Sequence, residues 1–148
     1  MREGKTVKKI SSKPTVYLID GSNFSRSLWS GAKGQRSDAI ETEFLQWLGE
    51  AARTQALVTS SFRVVFDGGF RPVGIYAGLS TTVYFSDDEK ADDILLERAC
   101  FMSSEGTRAV IVTSDSGIRE KAAADGIKSL PCGAFFRFCE DELKKDAR

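Results

Sequence analysis

Four short, apolar, β-prone runs, three of them closed at once by polar turn residues, constrain this chain more than any other feature. Val16-Tyr17-Leu18-Ile19 ends at Asp20-Gly21, and Phe62 to Phe66 ends at Asp67-Gly68-Gly69. Thr81 to Phe85 is the third, and Ala109 to Val112 the fourth, ending at Thr113-Ser114-Asp115. A shorter fifth candidate, Ile127 to Leu130, is stopped by Pro131. Strands that are nearly continuously apolar are buried on both faces, which is the pattern of parallel sheets.

Helical periodicity fills the intervals. Ile40, Phe44, Trp47, Leu48 and Ala51 recur on one helix face, and Asp38 with Glu41 three residues on makes an N-terminal cap for it. Ala91, Leu95, Ala99 and Met102 form a second stripe. A third helix follows Ser116 and stops near Gly126, and a fourth carries Phe135, Phe138, Cys139 and Leu143. Gly31 to Ser37 and Gly68 to Gly78 read as loops. Strands alternating with helices predict an α/β fold: a three-layer α/β/α sandwich with a mostly parallel sheet of about five strands. A chain of 148 residues fits one such domain, from residue 15 to 148. Residues 1–14 read as a basic flexible arm with Arg2, Lys5, Lys8, Lys9 and Lys13.

Composition narrows the chemistry. The chain has no histidine and three cysteines, Cys100, Cys132 and Cys139, without CxxC spacing. Ser-His and Cys-His mechanisms, a disulfide framework and a structural zinc site are thereby disfavoured. Each cysteine lies among apolar neighbours, so buried free thiols in a reducing cytoplasm are expected. The 21 basic and 21 acidic residues cancel, so net charge alone does not indicate nucleic acid. No stretch approaches the roughly 20 apolar residues of a membrane span, and the first residues lack the apolar middle of a signal peptide. What chemistry remains must run on carboxylates, lysines or a bound metal.

Asp20, Asp67 and Asp115 follow three of the five strands, at the edge where open α/β sheets form their ligand crevice. Asp92 and Asp93 open the helix after the third strand, and so reach the same edge. Taken singly, an aspartate before glycine is commonly a turn former and an Asp pair in a first turn commonly a cap. Four such sites on one edge are costly, because close carboxylates repel by roughly a few kcal/mol per pair. A divalent cation relieves that repulsion, and an oxygen-only set suits Mg²⁺ or Mn²⁺. Asp20, Asp67, Asp92 and Asp115 are therefore the expected catalytic and metal-holding residues, with Asp93 as a further ligand. Ser22, Asn23, Ser114, Ser116, Lys90 and Arg119 flank them as candidates for substrate contact. For Asn23 a helix-capping role is an equal alternative, and for Lys90 and Arg119 a solvated face. Carboxylate-held Mg²⁺ points to phosphate chemistry. Trp29 is a candidate for base stacking, whereas Phe135, Phe136 and Phe138 read as helix packing.

Other readings fit less well. Phosphatases of the haloacid dehalogenase type need an acid where Ser22 stands, and a DxSxS metal motif fails at Phe24. Asp-Gly-Ser-Asn after the first strand is not GxGxxG, so no dinucleotide cofactor is expected.

YLIDGSN, VVFDGG, YFSDDEKADDILLERA and AVIVTSDSGIRE together resemble, in order, the four motif blocks of NYN-domain nucleases. Within the PIN-like superfamily they look most like the YacP-like branch, from about Val16 to Phe138. Asp20, Asp67, Asp92 and Asp115 match the family's acidic residues, Asn23 matches the Asn of its DGxN block, and Asp93 matches less securely. The chain departs from the family at Ser22, where an aromatic is common, and at Asp67-Gly68-Gly69, where a DAH-like turn is common. The resemblance implies a PIN-like fold and a Mg²⁺- or Mn²⁺-dependent endoribonuclease acting on single-stranded RNA. The alternative is an RNA- or ribosome-associated binding module of the same fold with little or no catalysis.

Overall fold

The computed structural model describes residues 10, 13–29, 37–73 and 80–147, without the side chains of 29, 37 and 38. The basic arm (apart from residues 10, 13 and 14), the proposed stacking role of Trp29, the Asp38 cap and most of the Gly31–Ser37 loop lie outside the described residues.

In chain order the elements are β1 (Val16–Asp20), α1 (Gly21–Trp29), α2 (Ser37–Ala51), β2 (Ser61–Phe66), β3 (Thr81–Phe85), α3 (Ala91–Ser104), β4 (Ala109–Val112), α4 (Ser116–Ala124), β5 (Lys128–Leu130) and α5 (Cys132–Asp146). All four strand pairings are parallel, in the order β3-β2-β1-β4-β5. The expected sheet of about five strands is present, with each strand where the apolar runs place it.

Alternate residues of the central strands feed two cores, as a period of two requires. Tyr17, Ile19, Phe62, Val64, Phe66, Val110 and Val112 pack beneath α1, α2 and α5 with Phe24, Phe44 and Phe135. Leu18, Val65 and Ile111 pack against Ala91, Leu95 and Ala99 of α3 and Ala122 of α4. The result is the three-layer sandwich. Phe135 is fully buried, and Phe136 and Phe138 pack at the rim of the same core, so these rings are packing residues as expected. The Phe136 ring stacks on Trp47 at 5.3 Å, and the Trp47 indole donates to the Glu140 carboxylate at 2.7 Å. Cys132 and Cys139 are buried free thiols; Cys100 is free but half-buried.

The helix that periodicity does not reveal is α1. Its sequence, GSNFSRSLW, holds one Gly and three Ser and offers only Phe24 and Leu28 as an apolar stripe. It begins immediately after β1 because Gly21 permits it. A Cβ there would lie 2.6 Å from both Phe66 Cε1 and Val64 Cγ1. Only a residue without a side chain lets the backbone turn this tightly onto β2. Asn23 does not cap the helix. Asp20 does, its Oδ1 accepting the Asn23 backbone N–H at 3.1 Å.

Candidate active site

The strand order reverses at β1, with β2 and β3 on one side and β4 and β5 on the other. Such a reversal opens a crevice at the carboxyl ends of the strands. Asp20 stands at that point, the last residue of the central strand and only 8% exposed. Burial pushes its carboxyl up from 3.8 to about 6. The Asn23 N–H and Arg26 act against the rise, whereas the charges of Asp67 and Asp92 add to it. Asp67 and Asp92 therefore both lie within electrostatic reach of Asp20.

Their positions follow from a relay of short contacts. Ser22, buried in the first turn of α1, accepts the Asp67 backbone N–H on its Oγ at 2.9 Å. Asp67 Oδ1 in turn accepts the Ala91 N–H at 3.0 Å, so the end of β2 fixes the start of α3. Asp92 is the next residue along. Its Oδ1 is buried and has no hydrogen-bond partner among the described residues. An unpaired buried carboxylate oxygen costs on the order of a few kcal/mol, so it marks a place where another partner fits. Asp93 is exposed on the same turn.

Asp115 is held on the opposite flank of β1. Ile19 is in register with Val112, which brings Thr113 beside Asp20, and Asp115 lies two residues further. Asp115 caps α4, its Oδ1 accepting the Ile118 N–H at 3.1 Å. The four aspartates thus share one edge of the sheet, and none is in an ion pair among the described residues. They do not form a closed cage as they stand: among the described residues no three acidic or thiol groups converge tightly enough to surround an ion. Asp20, Asp67 and Asp92 form the inner set; Asp115 is exposed on the β4 side of Asp20.

Of the flanking candidates, Asn23 and Ser114 latch the crevice. Asn23 Oδ1 accepts from the Ser114 N–H at 2.9 Å and from the Cys132 thiol at 3.2 Å, while Ser114 Oγ accepts the Cys132 N–H at 3.1 Å. The side-chain oxygen is spent on the turn after β4 and on the start of α5. Burial, with the nearby Asp20 charge, pushes the Cys132 thiol up to about 11, so it serves as a donor rather than a nucleophile. Lys90 is the exposed residue preceding α3. Ser116 and Arg119 line a different space, a cavity of about 840 Å³ beside β5 where the Arg119 Nε donates to Ser129 Oγ at 3.4 Å.

Two guanidinium groups that sequence reasoning missed stand closer to the acids. A cleft of about 190 Å³ is lined by Asp67, Ser22 and Ser25 together with Arg26 and Arg71. Arg26 is exposed and close enough for its charge to act on Asp20. Arg71 donates through Nε and Nη2 to both oxygens of the buried Glu41, and through Nη1 to the carbonyls of Asp67 and Gly69 at 2.8 Å. Glu41 is therefore the anchor of the Asp67 loop, beyond the capping role its spacing to Asp38 implies.

No protein-family model and no curated protein matches the sequence. Among solved structures, Rae1 (YacP) from Bacillus subtilis superimposes with a TM-score of 0.70 at 19% identity, over 90% of this chain and 78% of that one. A point mutant of the same protein gives 0.71 at 18% identity, over 88% and 78%. A match at that identity speaks for the fold. Across nearly nine tenths of its length the chain has the fold of the YacP structures, which is the fold its four motif blocks imply.

Proposed function

We propose that the chain is a metal-dependent endoribonuclease that cleaves single-stranded RNA. The observation that carries the reading is the inner carboxylate set: an Asp20 carboxyl raised by burial and further by the charges of Asp67 and Asp92, and an Asp92 oxygen buried without a partner among the described residues. A buried carboxyl repelled by two neighbouring acids, one of which has an unsatisfied oxygen, suits a hard divalent cation. Asp20, Asp67 and Asp92 would hold Mg²⁺ or Mn²⁺, with Asp115 and Asp93 as outer candidates. Such an ion, when bound, lowers the pKa of water and offsets charge developing on a phosphate.

The remaining groups bind and orient. Arg26, exposed at the cleft, supplies a cation for a substrate phosphate, as does Lys90 at the start of α3. The Asn23 amide nitrogen offers a donor on the same side. Ser22 and the Glu41–Arg71 pair keep Asp67 from swinging away. The YacP-like fold and the match of the four motif blocks support RNA as the substrate. Purified protein should cleave a single-stranded oligoribonucleotide with Mn²⁺ or Mg²⁺, and Asp20→Asn should abolish this. Equal activity in both proteins would end the proposal.

The open spacing of the acids favours one competing reading, an RNA- or ribosome-docking module with feeble catalysis. It requires that Asp20→Asn still bind RNA while wild-type protein cleaves nothing under either metal.

A further inference from the structure

Three large apolar side chains are exposed among the described residues: Val58, Phe101 and Phe70. Singly exposed apolar residues are ordinary. Phe70 differs in its location and its seat. It lies three residues after Asp67 and beside Arg71, both of which line the cleft, and the residue is 80% exposed. The loop beneath it is fixed on both sides. Gly69 and Asp67 receive the Arg71 guanidinium on their carbonyls, and Gly68 is held through its N–H by Ser86 Oγ and through its carbonyl by the Asp87 N–H. One side of the ring rests edge-on against Phe85 at 5.4 Å, and the Arg71 guanidinium covers that same Phe85 ring at 5.1 Å. The ring is presented to solvent by a supported loop, and among the described residues its exposed neighbours Asp67, Gly69 and Pro72 provide no continuous apolar patch. A protein or lipid surface would call for such a patch. A single supported ring beside a phosphate-directed site suits one flat π-face.

We propose that Phe70 is the platform on which an unpaired nucleobase of the RNA strand stacks, setting the adjoining phosphate at the Asp20–Asp67–Asp92 edge. The inference rests on the nuclease reading and adds a substrate determinant to it. A base must leave its duplex to lie on an aromatic face, so the platform selects single strands, and it tolerates any base because every base has a π-face. Because the ring is already held, little conformational freedom is lost on binding.

The test compares wild-type protein with Phe70→Ala, Phe70→Leu and Phe70→Trp, with Phe101→Ala on α3 as control. KM and kcat are measured on a single-stranded oligoribonucleotide with Mn²⁺. Binding is measured with a non-cleavable 2′-O-methyl strand, through quenching of the fluorescence that Phe70→Trp gains over wild type. Phe70→Ala and Phe70→Leu should raise KM about tenfold with kcat within twofold, as loss of one stacked base implies. Phe70→Trp should restore KM and show quenching, and Phe101→Ala should match wild type. A wild-type KM in Phe70→Ala, with cleavage intact, overturns the stacking role alone, as does rescue by Phe70→Leu. A wild-type protein that neither binds nor cleaves the strand overturns the nuclease reading beneath it. Phe70 contributes little buried area, so the truncations should keep the wild-type melting temperature within a few degrees.

Discussion

Replacing Asp20 with asparagine should make the protein more stable, by an amount that grows as pH rises from about 4 to about 6 and is full above that. The side chain is 8% exposed, and its carboxyl is raised from 3.8 to about 6, first by burial. The native state therefore binds the Asp20 proton more tightly than the unfolded chain does. Stability from that proton is fully present below pH 3.8 and is lost as pH rises through about 6. The difference corresponds to about 3 kcal/mol of destabilisation once the carboxylate is charged. Asparagine keeps the helix cap, since its oxygen can still accept the Asn23 N–H. It removes the charge, and with it the repulsion from Asp67 and Asp92. In chelator, thermal melts of the two proteins should coincide at pH 4 and separate toward pH 8. The variant should then be higher by about 6–12 °C for a domain of this size. Added Mn²⁺ should reverse the order by stabilising wild-type protein alone. A variant no more stable than wild type at pH 8 without metal would refute the view of Asp20 as a buried, repelled charge.

Three further outcomes follow from the same contacts. Gly21→Ala would set a Cβ 2.6 Å from Phe66 and Val64, and should destabilise by about 1–3 kcal/mol or more in urea unfolding, with loss of cleavage as α1 is displaced. Ser22→Ala strips the acceptor from the Asp67 N–H, and should cost about 1–3 kcal/mol in the same assay while weakening Mn²⁺ binding. Apparent Mn²⁺ affinity in wild-type protein, followed by calorimetry, should fall toward tenfold per pH unit below about 6, because the proton on Asp20 competes with the ion; a flat profile between pH 5 and 7.5 would count against Asp20 as a ligand.

The strands and the shared acidic edge were legible in the sequence for simple reasons. A β-strand buried on both faces must be apolar along its length, so VYLI, FRVVF and AVIV stand out, and an aspartate directly after them marks the strand end. What was not legible depends on contacts between distant residues. Nothing in the sequence links Arg71 to Glu41, 30 residues away, yet that pair pins the Asp67 loop. The distinction between Asp92, half-buried with one oxygen buried and unpaired among the described residues, and Asp93, exposed, is a matter of 100° of helix rotation against β2. Helix α1 escaped notice because close packing through Gly21, rather than propensity, holds it in place. Asn23 was expected to contact substrate or to cap the helix. Its oxygen is spent instead on Ser114 and Cys132, partners 91 and 109 residues ahead.

The central claim is that Asp20, Asp67 and Asp92 share a divalent cation, and anomalous diffraction from crystals soaked in Mn²⁺ tests it most directly. A peak bonded to the Asp92 Oδ1 that lacks a partner, absent from Asp92→Asn crystals soaked alike, is the predicted result. Full soaking with no peak at that oxygen, or the same peak in the variant, would contradict it.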